Sequence, residues 1–297
     1  MNESSIKSSE NGLREFLRAG EQAGARYRFA SLGRTPQGTA GTQLARTAGE
    51  SMEFMEHRDY QPGDDLRRMN WSAYARSDKL VVKVFRQEVC PHFDLIIDGS
   101  RSMDLEGTDK LAAALGLSAA LSCAAENSGY SRRVFLTQEG CHPVRGGTDR
   151  PPAWQGLEFS SPQNPADAFR IQLPRLRPHG VRVLVSDLLW LGNPMDVLNP
   201  LSDRSAATLV LQVLAREDVD PGQTGNHRLV DRETGTTLDL MIDRPGLERY
   251  QSNLNRHQQA WRSACRQLGA TFISLVAEDV CHDWDLSALV RAEILTM

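Results

Sequence analysis

DLIIDGSRSM, residues 94–103, runs three apolar residues, Leu95, Ile96 and Ile97, straight into a carboxylate, Asp98, and then sets two hydroxyls at alternate positions, Ser100 and Ser102. An apolar run without alternation suits a strand covered on both faces, as in a parallel sheet. Just upstream, LVVKVFRQEVC (80–90) is a β-branched strand. Downstream, Thr108 to Glu126 reads as a long helix opened by TDK and closed near NSG. RRVFLTQEGCHPV (132–144) has the pattern of a hairpin turning at Gln138 to Gly140, and a long loop rich in Pro and Gly follows. After the short helix ADAFRIQLPRL comes a second buried strand, VRVLVSDLLW (181–190), which again meets a polar pair, Ser186 and Asp187.

The same alternation continues to the end. NPMDVLNPLSDR is a short helix and AATLVLQVLA a strand. HRLVDRETGTTLDLMI (227–242) is a hairpin around ETGT. A long helix runs from Pro245 to Gly269, ATFISLVA is a last strand, and DWDLSALVRAEIL is a last helix. From residue 92 onwards this order predicts an α/β fold, a doubly wound, mainly parallel sheet with helices on both faces. In such sheets chemistry gathers at the carboxyl ends of the strands, where DLIIDGSRS and VLVSD both place their polar residues.

Three segments follow from this reading. Residues 1–50 hold a helix with a basic face, LREFLRAGEQAGARYRFA, and a Gly/Thr/Pro loop. Residues 51–90 are polar and turn-rich around YQPGDD and end in the strand. Residues 91–297 form the α/β domain, with a hairpin insertion near 216–243.

Composition narrows the function. Of 297 residues, 40% are hydrophobic and 24% charged, the balance of a soluble globular protein. A formal net charge of -4 gives no pull towards nucleic acid or an acidic membrane. The polar start, MNESSIKSSENGLREF, lacks the pattern of a signal peptide. The most apolar run, LAAALGLSAALSCAA (111–125), falls short of the roughly 20 residues a bilayer span needs. The expected location is the cytoplasm. Cys90, Cys123, Cys141, Cys265 and Cys281 form no C-x-x-C pair and are expected reduced and mostly buried. The seven histidines form no metal-ligand pattern, and there is neither a nucleophile elbow nor a phosphate-binding Walker loop.

Asp98, Ser100 and Ser102 point the same way from an extended loop, and Asp187 can add a fourth oxygen group from another strand end. Oxygen ligands with few carboxylates suit a hard divalent cation, Mg²⁺ or Mn²⁺. Two other readings stay open. The serines can simply cap the following helix. A strand-end aspartate can also be the nucleophile of a Mg²⁺-dependent phosphatase, although Ser100 stands where such enzymes carry their general acid.

D-G-S-R-S, Asp98 to Ser102, resembles the D-x-S-x-S signature of the metal-ion-dependent adhesion site in von Willebrand factor A domains. The resemblance implies a Rossmann-like fold, direct metal ligation by Ser100 and Ser102, and Asp98 acting mostly through water. Asp187 matches the later aspartate of that site, and Thr148, in RGGTD, is the candidate for its threonine. It also implies that a protein partner offers the metal a Glu or Asp.

Residues 53–88 resemble the domain-of-unknown-function 58 family. Arg58, Tyr60, Pro62, Gly63, Asp64, Arg67, Trp71, Ala75, Arg76 and Glu88 match its R-x-Y-x-P-G-D-x-x-R-x-I-x-W hallmark and the A-R and Glu beyond it, with Met69 at the isoleucine position. EDVDPGQTGNHRLVDRETG is similar to that family's late hairpin. The resemblance implies a non-enzymatic adaptor or assembly factor working with a MoxR-type AAA+ ATPase. Within the hallmark, Tyr60, Asp64, Arg67, Trp71 and Arg76 are either a salt-bridged, aromatic-pinned turn or a partner-docking patch of the Arg, Tyr and Trp that interface centres favour.

Overall fold

The computed structural model describes residues 10–30, 52–62, 64–77, 79–87, 91–222, 224–230 and 236–297. In chain order the elements are α1 (Glu10–Gly24), β1 (Arg28–Phe29), β2 (Met52–Asp59), α2 (Trp71–Ser77), β3 (Val81–Gln87), β4 (His92–Asp98), α3 (Lys110–Asn127), β5 (Ser131–Gln138), β6 (Gly140–Pro143), α4 (Pro165–Ile171), β7 (Val181–Ser186), α5 (Met195–Ser202), β8 (Ala207–Leu214), α6 (Arg216–Val219), β9 (Gly225–Val230), β10 (Thr237–Ile242), α7 (Arg244–Gln267), β11 (Thr271–Val276), α8 (Ala277–Asp283), α9 (Ser287–Arg291) and β12 (Leu295–Thr296). The chain divides into two compact units, residues 1–33 with 91–297, and residues 34–90.

The larger unit is built on a six-stranded sheet in the order β11-β8-β7-β4-β5-β6. Five strands are parallel and β6 returns antiparallel at the edge. β4 alternates its side chains between the two faces. Leu95 and Ile97 join one core with Leu115, Leu121 and Leu211, whereas Ile96 joins the other with Leu184, Val197 and Trp261. Helices therefore cover both faces, which is why the strand is apolar without a period.

α3 is buried along nearly its whole length. Its small residues let α1 lie close against it. A Cβ on Gly20 would sit 2.1 Å from the Gly116 carbonyl oxygen, so only glycine fits at that crossing. Leu13, Leu17, Tyr27 and Phe29 are buried in the same core, so residues 10–30 belong to the α/β unit instead of standing apart in a separate first segment of residues 1–50.

Other differences from the expected elements are local. β7 ends at Ser186, four residues before Trp190. The last expected helix shortens to α9, with α8 ahead of it and β12 pairing antiparallel with β1. β9 and β10 form a separate antiparallel hairpin, and its expected turn at ETGT lies largely outside the described residues. Cys123, Cys141 and Cys265 are buried free thiols, with burial pushing Cys141 and Cys265 up to about 12, whereas Cys90 lies outside the described residues.

The smaller unit is a hairpin of β2 and β3 with a register shift between Phe54 and Glu56. The connection carries a single 3₁₀ turn, Leu66–Arg68, and then α2. Met69 bridges antiparallel to Val82, and both are buried.

Candidate functional site

The connection after β4 passes through α3 to β5 on one side, while β7 lies on the other side of β4 and leads on to β8. The chain thus reverses direction across the sheet between β4 and β7, and ligands of open α/β sheets bind outside the carboxyl ends at such a switch point. Asp98 closes β4 and Asp187 follows β7, so the topology brings these two predicted residues together.

Asp98 is fully buried. Its Oδ1 accepts the Ser100 N–H at 3.0 Å and the Thr137 hydroxyl at 3.4 Å, and its Oδ2 accepts the Ser186 hydroxyl at 2.5 Å. All three donors are neutral, and among the described residues no cationic side chain pairs with it. Burial, with the Asp187 charge adding to it, pushes the Asp98 carboxyl up from 3.8 to about 7. Ser100 Oγ lies 3.1 Å from Ser102 Oγ on the turn that follows. Gly99 lets that turn hug β5, because a Cβ there would meet the Thr137 carbonyl oxygen at 2.2 Å.

Asp187 is held differently. Its Oδ2 accepts from Lys110 Nζ at 3.2 Å and its Oδ1 from the Leu189 N–H at 3.1 Å. Lys110 Nζ also reaches Asp218 Oδ2 at 2.8 Å. Burial alone pushes the Lys110 ammonium down, but Asp187 and Asp218 more than offset it, and the group stands above its ordinary value. Gln212 on β8 donates to the Asp187 carbonyl at 2.9 Å. Leu188, buried at φ 58, turns the chain sharply, with its N–H on Ser186 Oγ at 3.0 Å and its carbonyl on His257 at 2.6 Å.

Thr148 does not reach this cluster. It shares a pocket with Ser131 and Arg133 at the start of β5, at the opposite end of the sheet. The threonine that does touch Asp98 is Thr137, its register partner across β4 and β5. The loop lying against the serines is residues 160–163, where the Arg101 N–H donates to the Ser161 carbonyl at 3.0 Å and Arg101 Nε to the Ser160 carbonyl at 2.9 Å. Thr137, Lys110 and Asp218 are the residues sequence reasoning missed, and Ser186 stood out only as the polar neighbour of Asp187. A parallel β4–β5 register would have pointed to Thr137, but no local pattern marks Lys110 or Asp218.

The donor set is a fully buried carboxylate that no cation among the described residues pairs with, ringed by hydroxyls and backed by a second carboxylate. Among the described residues no group of three or more His, Cys, Asp or Glu is placed to hold a metal. Any cation here would therefore rest on hydroxyls and water besides Asp98, a set that fits Mg²⁺ or Mn²⁺ and not zinc.

In the hairpin unit, Arg58 Nη2 bonds Asp64 Oδ1 at 2.7 Å and the Gln61 N–H bonds Asp64 Oδ2 at 2.9 Å. The Gln61 N–H, with Arg58, holds the Asp64 carboxyl below its usual value. Asp65 caps the 3₁₀ turn through the Arg67 N–H, and Tyr60 is tied by its N–H to the Leu80 carbonyl. The acidic half of the hallmark is thus spent on the turn. Arg76 Nε bonds the Ser72 carbonyl at 3.0 Å within its own helix. Trp71 is 59% exposed and meets Tyr74 edge-on at 6.4 Å. Gly63 and Glu88 lie outside the described residues.

Comparison with known proteins places the chain. Uncharacterized proteins of Mycobacterium bovis and Mycobacterium tuberculosis are 28% identical over 265 residues, covering 84% of this chain and 81% of theirs. Two solved structures match weakly. One is described as conserved hypothetical protein BatB from Bacteroides thetaiotaomicron (TM-score 0.34, 10% identity, 68% of this chain and 98% of that one). The other is an aerotolerance-related membrane protein from Bacteroides fragilis (TM-score 0.31, 15% identity, 60% of this chain and 98% of that one). Scores of that size carry no weight for fold or function. Among the described residues no helix is long and apolar enough to cross a membrane. Residues 56–260 match the family described as protein of unknown function DUF58, and the chain belongs to that family.

Proposed function

We propose that the protein is a non-enzymatic, metal-dependent interaction module whose Asp98, Ser100, Ser102 and Asp187 form a von Willebrand factor A-type adhesion site. One observation carries the reading: Asp98 is fully buried, yet only neutral donors answer it. A buried carboxylate either takes up a proton or gains a cation. Mg²⁺ or Mn²⁺, when bound, supplies a positive charge with an open position for a Glu or Asp of a protein partner. The Ser100 and Ser102 hydroxyls would ligate the ion and Asp98 would act mostly through water, with Ser186 and Thr137 orienting the Asp98 carboxylate. Lys110 neutralises Asp187 and fixes its direction, so Asp187 acts through water. A MoxR-type AAA+ ATPase is the proposed partner, on family resemblance.

Calorimetric titration of Mg²⁺ and Mn²⁺ into metal-free protein tests the reading. About one equivalent should bind, and Asp98→Ala should abolish both the heat and the capture of a carboxylate-bearing partner. Partner capture at full strength in EDTA would sink it. A second reading has its own observation, the exposed Trp71–Tyr74 pair in the segment that also carries Arg67 and Arg76. On that reading residues 53–88 dock a partner without metal, and charge reversal at Arg67 and Arg76 breaks the complex while Asp98→Ala does not.

A further inference from the structure

Where β4 and β5 begin, a pocket of about 330 Å³ is lined by Arg132, Arg133, Arg177, Ser131, Thr148, Glu126 and Tyr130. It lies about 20 Å from Asp98, the length of a seven-residue strand. Arg133 clasps Asp94 with Nε and Nη2 at 2.8 and 2.9 Å. Arg132 is held by Glu126 at 3.1 Å and by the Ser122 hydroxyl at 3.2 Å.

Arg177 is the odd one. Its backbone is pinned on both sides, the N–H on Asp94 Oδ2 at 3.3 Å and the carbonyl on Arg182 Nη2 at 3.1 Å. Among the described residues its guanidinium meets neutral acceptors, His92 Nδ1 at 3.1 Å and Ser131 Oγ at 3.4 Å. Three guanidinium charges thus face two carboxylates, and no carboxylate among the described residues balances the third. Ser131 and Thr148 share the wall with it, the Ser131 hydroxyl already bonded to His92 Nδ1 at 2.5 Å.

We propose that this pocket binds a phosphate oxyanion, either the free ion or a small-molecule monoester. Guanidinium forks match phosphate oxygens, and a tetrahedral dianion has oxygens enough for Arg177 and Thr148 together. The volume is at the small end of ligand sites and suits a phosphoryl group with a short substituent. The site is independent of the metal reading, since none of its residues touches Asp98 or Asp187.

The test is titration calorimetry with inorganic phosphate and with glycerol 3-phosphate, each against sodium chloride at matched ionic strength. The whole chain, Arg177→Gln, Thr148→Val and Asp98→Ala are compared. Phosphate should bind the natural chain and Asp98→Ala alike, and Arg177→Gln should weaken it about tenfold or more, the loss of one charged hydrogen bond. Tighter binding of the ester identifies a phosphorylated metabolite class; tighter binding of the ion identifies free phosphate. Heats no larger than those of sodium chloride, or an unchanged Kd in both Arg177→Gln and Thr148→Val, would overturn the proposal. Arg177 is exposed, so its variant should fold, and circular dichroism checks that it does.

Discussion

Asp94 and Asp98 sit four residues apart on one face of one strand, both fully buried, and the molecule treats them in opposite ways. Asp94 is clasped by the Arg133 fork and by the Arg177 N–H. Asp98 receives two hydroxyls and one N–H. The first is a closed ion pair that fixes the start of β4 and β5. The second is half of an ion pair. Burial is the same for both, so the charge of the neighbour alone separates a structural anchor from a candidate site.

Substitution at the two positions gives the largest expected contrast. Asp94→Asn leaves the Arg133 charge without its carboxylate and should cost about 3 kcal/mol, since breaking a buried pair strands the other ion. Asp98→Asn in metal-free protein at pH 7.5 removes a buried charge that has no partner, and should cost nothing or stabilise. Chemical denaturation of the two variants measures both. Equal losses would mean that Asp98 has a cation partner and would end the distinction.

Acidity sharpens the same contrast by a smaller amount. The folded carboxyl of Asp98 stands at about 7, above its ordinary 3.8, so the folded state holds the proton more tightly than the unfolded chain. Its contribution to stability is complete below 3.8 and is lost as pH rises through 7. Metal-free protein should therefore show a falling Tm between pH 4.5 and 7.5, and Asp98→Asn should flatten that fall. Millimolar Mg²⁺ at pH 7.5 should restore the Tm of the natural chain and leave Asp98→Asn unmoved. An identical pH profile for both proteins would show that the proton is not on Asp98.

These contrasts also mark what the sequence could tell. β4 and β7 were readable because their apolar runs end in Asp98 and Ser186–Asp187, and both faces of a central strand leave that mark. The pairing of Asp98 with Asp187 was readable because alternating strands and helices imply a switch point. Thr137 and Thr148 show where local reading stops. Both are strand-or-loop threonines in the right stretch of chain, and only the β4–β5 register decides that Thr137 reaches Asp98 while Thr148 sits at the far end. Lys110 looked like one of the residues that open a helix, because the carboxylates that pair with it, Asp187 and Asp218, arrive from 77 and 108 residues away. β1 and β12 are two residues each, too short for any period to show.

The hairpin unit offers the smallest expected effect and the sharpest check on the alternative function. Its hallmark reads either as a pinned turn or as a docking patch. The structure divides the residues: Asp64 and Asp65 close the turn, whereas Trp71 is largely exposed and meets Tyr74 edge-on. So exposed an aromatic should tolerate truncation. Trp71→Ala should change stability by no more than about 0.5 kcal/mol, the usual range for a surface substitution. If Trp71→Ala then weakens partner capture while Asp98→Ala does not, the interaction runs through the hairpin and the buried carboxylate of β4 is a proton site. If Asp98→Ala abolishes capture and Trp71→Ala leaves it intact, the uncompensated charge at the switch point is what the partner reads.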